Sequence, residues 1–510
     1  MNILKKHSFT ILLGALLSLL LFSRAIPFIL HGPFGFGYDT GIYKHIFDNI
    51  TSLSQVLTSE IYPLPAFLAY ITNTLNLPID ILIYYSYILF GVAIAIPLYI
   101  LTKNHFGKTA GLIAVAIFTV SHVQSLASQI YLFKAEFGAI FMLFAFHYYA
   151  RRSWKFYSFT FLLALTQLPQ LLILAIAVGI STLINIKKEF KYHATLIGVA
   201  VGAFLFLLIF TPQHIINGFA FVRDAMFGEA RVDSLQVGYL MTISEFLKKE
   251  IIIILLAVTG LAILVKNSLK KLLKKSSDGI EDGFATALLP LYIAILFLSI
   301  IVFGKLFFER RYIMELDLFL IPFAAYALVA GYNWVIKELE YENEVRSINT
   351  ADSSKKVNLA TTFKVACVAI LCAITVGSTC YYYFTVTPSL TVEEQSALKF
   401  IGRKTDVSYA MVTNGMIAPW VYGFSGKETL APGIFTSVMD YDQFTKYHAT
   451  TESAEKLAML TDIAGKYGDF YLLVGAGQTK EQNLLNQEKS GIDRSFHKGN
   501  VTVYKLSASK

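Results

Sequence analysis

Apolar runs of membrane-spanning length, separated by short basic breaks, fill the chain from its N-terminus to about residue 386. Crossing roughly 30 Å of hydrocarbon takes about 20 apolar residues in a helix. Runs of that kind fall at Phe9–Leu30, Ile81–Thr102, Lys108–Leu126, Tyr131–Ala150, Thr195–Thr211, Glu250–Val265, Ala285–Gly304, Tyr312–Ile336 and Phe363–Phe384. The run Phe156–Ile186 is too long for one upright helix, and Pro169 within Thr166-Gln167-Leu168-Pro169-Gln170 removes a backbone donor that a continuous helix needs. Arg151, Arg152 and Lys155 precede this run and Lys187, Lys188 and Lys191 follow it. With both flanks inside, it goes in and returns as two short helices meeting at the outer side, for about eleven crossings in all.

Sidedness follows from the basic residues. Lys5/Lys6, Lys103/Lys108, Arg151/Arg152/Lys155, Lys187/Lys188/Lys191 and Lys266/Lys270/Lys271/Lys274/Lys275 occupy alternate breaks, while the first outer loop, His31 to Pro78, holds one lysine, Lys44. That is the positive-inside asymmetry, with Lys248 and Lys249 against it. The N-terminus is expected inside and everything after Phe384 outside. Arg24 interrupts the first run and no small-residue cleavage site follows, so this run reads as retained. Within outer loop 31–78, Ile42, Ile46, Ile50, Leu53 and Leu57 recur at helical spacing, predicting a helix on the membrane surface. Outer loop 212–249 repeats the pattern with Ile215, Phe219, Val222 and Met226. The inner stretch Lys337–Asn358 is polar, mixed in charge and expected to be mobile.

The pattern changes at about residue 387. Helix-like segments (Glu393–Arg403, Ala454–Lys466) alternate with strand-like ones (Val407–Val412, Phe470–Val474, Val501–Tyr504), which predicts a small α/β domain over 387–510 behind a transmembrane domain over 1–386. The expected fold is therefore a polytopic α-helical membrane protein, N-in and C-out, with a C-terminal extracytoplasmic α/β domain. Composition agrees: 55% of the 510 residues are hydrophobic and only 15% charged, where soluble chains carry about 25%, and the mean hydropathy is +0.56. The bilayer must be the main solvent. The net charge of +8 arises from residues beside apolar runs and is a topology signal, so nucleic acid is not an expected partner. Cys367, Cys372 and Cys380 share one apolar run and make neither a disulfide framework nor a metal site, and read as helix-packing residues.

Candidate chemistry gathers at the outer boundary. Asp39 lies in Gly35-Phe36-Gly37-Tyr38-Asp39-Thr40-Gly41-Ile42-Tyr43, where glycines let the backbone turn tightly around it and two tyrosines flank it. The alternative role for Asp39 is to cap the helix that starts near Thr40. Arg310 and Arg311 defy the inside charge bias and suit phosphate, or else pair with the acids that follow, Glu315 standing four residues beyond Arg311 on the same face. Lys134 and Arg24 each read either as phosphate contacts or as snorkelling cations. Glu136 is a candidate second carboxylate, although two residues from Lys134 on a helix it points the other way. Gln167 and Gln170 can line a lipid groove beside Pro169, or equally satisfy the backbone groups that the break leaves unpaired. Asp440-Tyr441-Asp442 reads as a solvated loop, and His31, His45, His122 and His214 show no metal-ligand spacing.

The long first outer loop with Tyr38-Asp39, the later Tyr62-Pro63-Leu64-Pro65, the outer Phe308-Glu309-Arg310-Arg311-Tyr312 and the outer soluble tail together resemble the GT-C glycosyltransferases. These include protein mannosyltransferases, aminoarabinose transferases and the oligosaccharyltransferase catalytic subunit. The resemblance implies a hexosyl or pentosyl transferase of inverting type in the cytoplasmic membrane. It implies a polyprenyl-phosphate-linked sugar donor and a lipid, glycan or protein acceptor. Asp39 would be the catalytic carboxylate, acting as base or as ligand of a divalent cation (Mg or Mn), with Glu136 as its possible second. Arg310, Arg311 and Lys134 would hold phosphate, and Tyr38, Tyr43 and Tyr62 would line the substrate site. Pro419-Trp420-Val421-Tyr422-Gly423 is similar to the Trp-Trp-Asp-Tyr-Gly signature of oligosaccharyltransferases, but Val421 stands in place of the acid, so sequon recognition is not carried over. A lipid-linked-sugar transporter or flippase, a glycan polymerase of another fold and a non-catalytic scaffold are the rival readings. A transporter predicts repeated halves and midplane charges, neither of which is visible in the chain.

Overall fold

A computed structural model describes the chain except residues 1, 33–34, 60, 186–189, 211, 213–215, 217–239, 274–281, 307–309, 311, 350–358, 414–416, 431–437, 440, 451, 476, 488–490 and 508–510. In chain order the membrane-side helices are α1 (Asn2–His31), α2 (Thr40–Asp48), α3 (Leu53–Thr58), α4 (Pro63–Thr74), α5 (Ile79–Phe106), α6 (Lys108–Val120), α7 (His122–Ile130) and α8 (Phe133–Ala150). They continue with α9 (Lys155–Ala164), α10 (Leu168–Asn185), α11 (Phe190–Phe210), α12 (Ile243–Lys249), α13 (Ile251–Leu273), α14 (Asp282–Phe303), α15 (Ile313–Asn349) and α16 (Leu359–Phe384).

Among the described residues, four helices are long and apolar enough to cross a membrane: Phe9–His31, Ile79–Phe106, Ile313–Tyr341 and Thr361–Phe384. Two bent pairs, α6 with α7 at 53° and α12 with the first part of α13 at 78°, bring the number to six if each is one span. Three further apolar runs form single helices, α8, α11 and α14, and others are broken into shorter helices. The run 156–186 is one of these. It divides into α9 and α10, with Pro169 in the first turn of α10, where a missing N–H costs no helical hydrogen bond. The Leu165 carbonyl in this break accepts from the Leu64 N–H at 3.0 Å, so the turn and the first outer loop lie on one side of the bundle.

Two other expectations change. The periodic segment 42–57 is two helices, not one. Ser52 caps α3 in a reciprocal capping box with Gln55, and this local bonding ends the continuity after Asp48. The buried side of α2, with Ile42, Tyr43 and Phe47, packs on α4, α5 and the tail rather than lying open to lipid. The stretch expected as a mobile inner loop is helical as far as Asn349, since α15 simply continues beyond the apolar part. The residues proposed to form a second surface helix, Ile215, Phe219, Val222 and Met226, lie outside the described residues.

Buried side chains of α5, α6, α8, α10, α13, α14 and α15 make one apolar core. α13 and α15 approach so closely that a Cβ at Gly260 would lie 2.2 Å from the Phe323 carbonyl oxygen. Gly260→Ala is therefore expected to cost about 1–3 kcal/mol, read as a lowered thermal unfolding midpoint in detergent. The α16 helix is largely exposed and carries the three free cysteines, Cys372 openly so.

The tail holds α17 (Val392–Gly402), α18 (Ala418–Ser425), α19 (Tyr441–Ala449), α20 (Ser453–Tyr467) and α21 (Thr479–Gln487). Its sheet has strands β1 (Tyr409–Val412), β2 (Glu428–Thr429), β3 (Phe470–Val474), β4 (Ile492–Lys498) and β5 (Val501–Leu506) in the order β2-β1-β3-β5-β4. The β2, β1 and β3 strands run parallel; β5 is antiparallel to β3 and β4. Apolar residues from both faces of β1 and β3 feed two small cores, which is why β3 reads as an unbroken apolar run. At one corner of the sheet Lys505 donates to Asp406 at 2.7 Å, which holds the Asp406 carboxyl below its ordinary value.

Candidate functional site

The Asp39 loop is built by two left-handed glycines, Gly35 at φ +94° and Gly37 at φ +79°. Only glycine takes these angles without strain, and at Gly37 a Cβ would also meet Tyr131 Cβ at 2.6 Å. Asp39 stands at the N-cap of α2, but its side chain makes no capping hydrogen bond. Its backbone N–H instead donates to the Ile130 carbonyl at 3.3 Å, docking the loop on the turn between α7 and α8. Tyr131 in that turn takes φ +67°, a strained conformation for an aromatic residue, held by a hydroxyl contact with Ser86 at 2.8 Å.

Asp39 is half-buried. Its neighbour Tyr38 is half-buried too, and burial together with the Asp39 charge pushes the Tyr38 phenol up to about 12. At neutral pH Tyr38 is a hydrogen-bond donor at the loop surface. Tyr43 is placed otherwise than a sugar platform requires: it is 5% exposed, with its ring against Tyr131, Phe133 and Phe47. Its role is to anchor α2.

Lys134 lies one turn beyond Tyr131, at the start of α8, half-buried, with its ammonium 5.7 Å from the centre of the Tyr62 ring. Tyr62 is extended at the N-cap of α4, as a residue before proline must be. The structure thus docks the Asp39 loop on the turn that opens α8, and sets Lys134 of the first turn of α8 over Tyr62.

Arg310 lies at the other end of α7, about 14 Å away along a nine-residue helix. It is close enough to Glu245 to act on it electrostatically, as is His122, which in turn feels Lys249. The Tyr382 ring closes this group, 5.2 Å from His122. Arg311 lies outside the described residues, so its pairing with Glu315 is not seen. Glu315 accepts from Gln170 at 2.9 Å, and the same amide donates to the Ala135 carbonyl at 2.8 Å. Gln170 therefore bridges α8, α10 and α15 rather than lining a groove.

Glu136 and Arg24 meet inside the bundle. Arg24 Nη2 is 2.8 Å from Glu136 Oε1, both residues are 1% exposed, and Arg24 also donates to the Tyr87 carbonyl at 3.2 Å. Gly91 makes the room; a Cβ there would be 2.5 Å from Arg24 Nε. Arg24 thus neither snorkels nor faces a headgroup, and Glu136 is committed to it. The available signal was that Arg24 is the lone charge of its apolar run and Glu136 the lone acid of another, and opposite charges in hydrocarbon pair.

A second buried polar cluster went unread in the sequence. Ser121, in the break between α6 and α7, lies 2.8 Å from Asp317 Oδ2 and 3.2 Å from Glu250 Oε1. The Val123 N–H donates to Glu250 at 2.9 Å, and Gln124 donates to Asp317 at 2.9 Å. These bonds satisfy the N-terminal donors that the break exposes, and they fix α7 to α13 and α15. Both ends of α7 are therefore tied down, one beside Asp39 and the other beside Arg310.

Among the described residues no group of three His, Cys, Asp or Glu side chains is placed to hold a metal ion.

No protein-family model matches the chain, and no curated protein matches it in sequence. Solved structures do. The oligosaccharyltransferase AglB from Archaeoglobus fulgidus, in complex with an inhibitory peptide and a dolichol-phosphate, is similar at TM-score 0.60 and 12% identity, over 94% of this chain and 71% of that one. A further structure of the Archaeoglobus enzyme is a complex with Zn and sulfate. ArnT from Cupriavidus metallidurans bound to undecaprenyl phosphate is similar at TM-score 0.55 and 14% identity, over 98% of both chains. The arabinofuranosyltransferase AftD from Mycobacteria matches 98% of this chain and 42% of its own, with TM-score 0.50 and 13% identity.

Proposed function

The chain has the fold of the GT-C glycosyltransferases, and from that premise we propose that it is a membrane glycosyltransferase using a polyprenyl-phosphate-linked sugar at the outer face of the cytoplasmic membrane. The observation that carries this reading is the placement of Asp39. It is a half-buried carboxylate whose loop is docked on the α7–α8 turn, from which α8 and Lys134 start, and its side chain does not cap α2.

The acceptor is a hydroxyl of a lipid, glycan or protein. Asp39 takes the hydroxyl proton as the acceptor oxygen bonds to the anomeric carbon of the donor. The bond from that carbon to the phosphate oxygen breaks, and its electron pair stays on the carrier phosphate. One displacement of this kind inverts the anomeric configuration. The developing phosphate charge needs a fixed cation, which Lys134 supplies at the Asp39 end of α7; Arg310, about 14 Å off at the other end of that helix, would meet only a more distant anionic part of the donor. Tyr38 orients Asp39, and Tyr62 holds Lys134. The pair Arg24–Glu136 and the cluster at Ser121 brace the helices that carry these groups.

A strain lacking this chain is expected to accumulate its donor as a lipid-linked sugar. Mass spectrometry of the extracted lipids should show the accumulated species and its loss when the intact chain is restored. An unchanged lipid-linked pool would contradict the reading.

A further inference from the structure

The Asp39 loop is gripped from the soluble tail at two points. At its start, the Gly35 carbonyl accepts from the Ser389 N–H, and a Cβ at Gly35 would lie 2.7 Å from the Leu390 carbonyl oxygen. Just beyond Asp39, α2 lies against α18 with no side chain between them. A Cβ at Gly41 would be 2.3 Å from the Pro419 carbonyl oxygen and 2.7 Å from the Trp420 nitrogen. From the other partner, a Cβ at Gly423 would be 2.7 Å from the Gly41 carbonyl oxygen and 2.9 Å from its Cα.

Side chains extend this contact. The rings of His45 and Tyr422 are 5.7 Å apart, and Lys44 from α2 and Lys399 from α17 sit over the Phe424 ring at 5.8 and 5.4 Å. Trp420 is 1% exposed and stacked on Phe424, so α18 is itself locked into the tail core. Asp39 therefore lies between two tail contacts on one side and the Ile130–Tyr131 turn on the other.

We infer that the segment Pro419-Trp420-Val421-Tyr422-Gly423, together with Ser389 and Leu390, is a positioning clamp through which the soluble tail sets the place of Asp39. The inference rests on the proposed transferase reading. Gly41, Gly423 and Gly35 are positioning residues in this account: they touch no substrate and act through the backbone of the Asp39 loop. Val421 fits the role, being fully buried in the tail core rather than offered to a ligand. The tail is then a part of the catalytic apparatus.

The test compares Gly423→Ala with Asp39→Asn in the full chain. Rates are measured in membranes of the deletion strain, whose own accumulated lipid-linked sugar is the donor. Undecaprenyl phosphate binding is measured on the purified protein. A displacement of Asp39 by about 1 Å should lower the maximal rate about 10²-fold. Half-saturating donor concentration and undecaprenyl phosphate affinity should stay within about twofold, a split that general unfolding would not produce. Wild-type rates in Gly423→Ala with Asp39→Asn inactive would overturn the clamp and leave the transferase reading standing. Full activity in Asp39→Asn would overturn the base assignment and the clamp with it. Should Gly423→Ala not insert, His45→Cys with Tyr422→Cys in a chain whose three native cysteines are alanine gives a second arm. A short bis-maleimide should bridge the pair with activity retained, and failure to bridge would overturn the contact.

Discussion

Replacing Asp39 by asparagine is expected to lower sugar transfer by about 10²–10⁴-fold while leaving the protein inserted and folded. Asparagine keeps the size and the hydrogen-bonding outline of the side chain but cannot accept a proton at neutral pH. The fold should tolerate it because Asp39 does not cap α2 through its side chain. The loop is held by backbone contacts, the Asp39 N–H on the Ile130 carbonyl and the Gly35 carbonyl on Ser389. Those contacts are blind to the substitution. Initial transfer rates in membranes, set beside the thermal unfolding midpoint of the purified variant, check both halves. A rate loss with an equal loss of stability would make Asp39 a structural residue.

The second large effect is on stability. Arg24→Leu or Glu136→Leu alone is expected to destabilise the bundle by about 3–5 kcal/mol, because each leaves an uncompensated charge in a site closed to water. Replacing both by leucine should recover most of that loss, since no charge is then stranded. The two single effects are thus strongly non-additive, and unfolding of the four proteins in detergent measures the coupling. The same series separates the two roles open to Glu136. A stable, active double variant makes the pair a brace between α1, α5 and α8. A stable but inactive one would return Glu136 to the chemistry.

What the sequence made legible is what depends on neighbours in the chain. Apolar runs marked where helices form, Pro169 marked the division of the run 156–186, and β3 was readable to its end residues because a buried strand is uniformly apolar. The turn glycines flanking Asp39 were readable because tight bends need left-handed angles. Contacts between distant segments were not. Nothing local tells that Arg24 and Glu136, more than a hundred residues apart, close on one another. Nothing local tells that Ser121 gathers Glu250 and Asp317. Tyr43 misled for a related reason: an aromatic residue beside a catalytic loop serves equally well as a sugar platform or as an anchor, and only its ring neighbours decide. The break after Asp48 was missed because apolar spacing carries through it, whereas the Ser52–Gln55 capping box that enforces it is polar. Gly41 looked like a turn residue, but its work, with Gly423, is close approach between helices that meet only in the folded chain.

The account stands on Asp39 acting as the base in a transfer from a lipid-linked donor. The most direct measurement supplies purified full chain with the lipid-linked sugar extracted from the deletion strain, adds that strain's acceptor fraction, and follows free polyprenyl phosphate. The intact protein should release it in step with loss of the donor, and the Asp39→Asn protein should release almost none. Equal release by both proteins, or none by either while the donor stays bound, would contradict it.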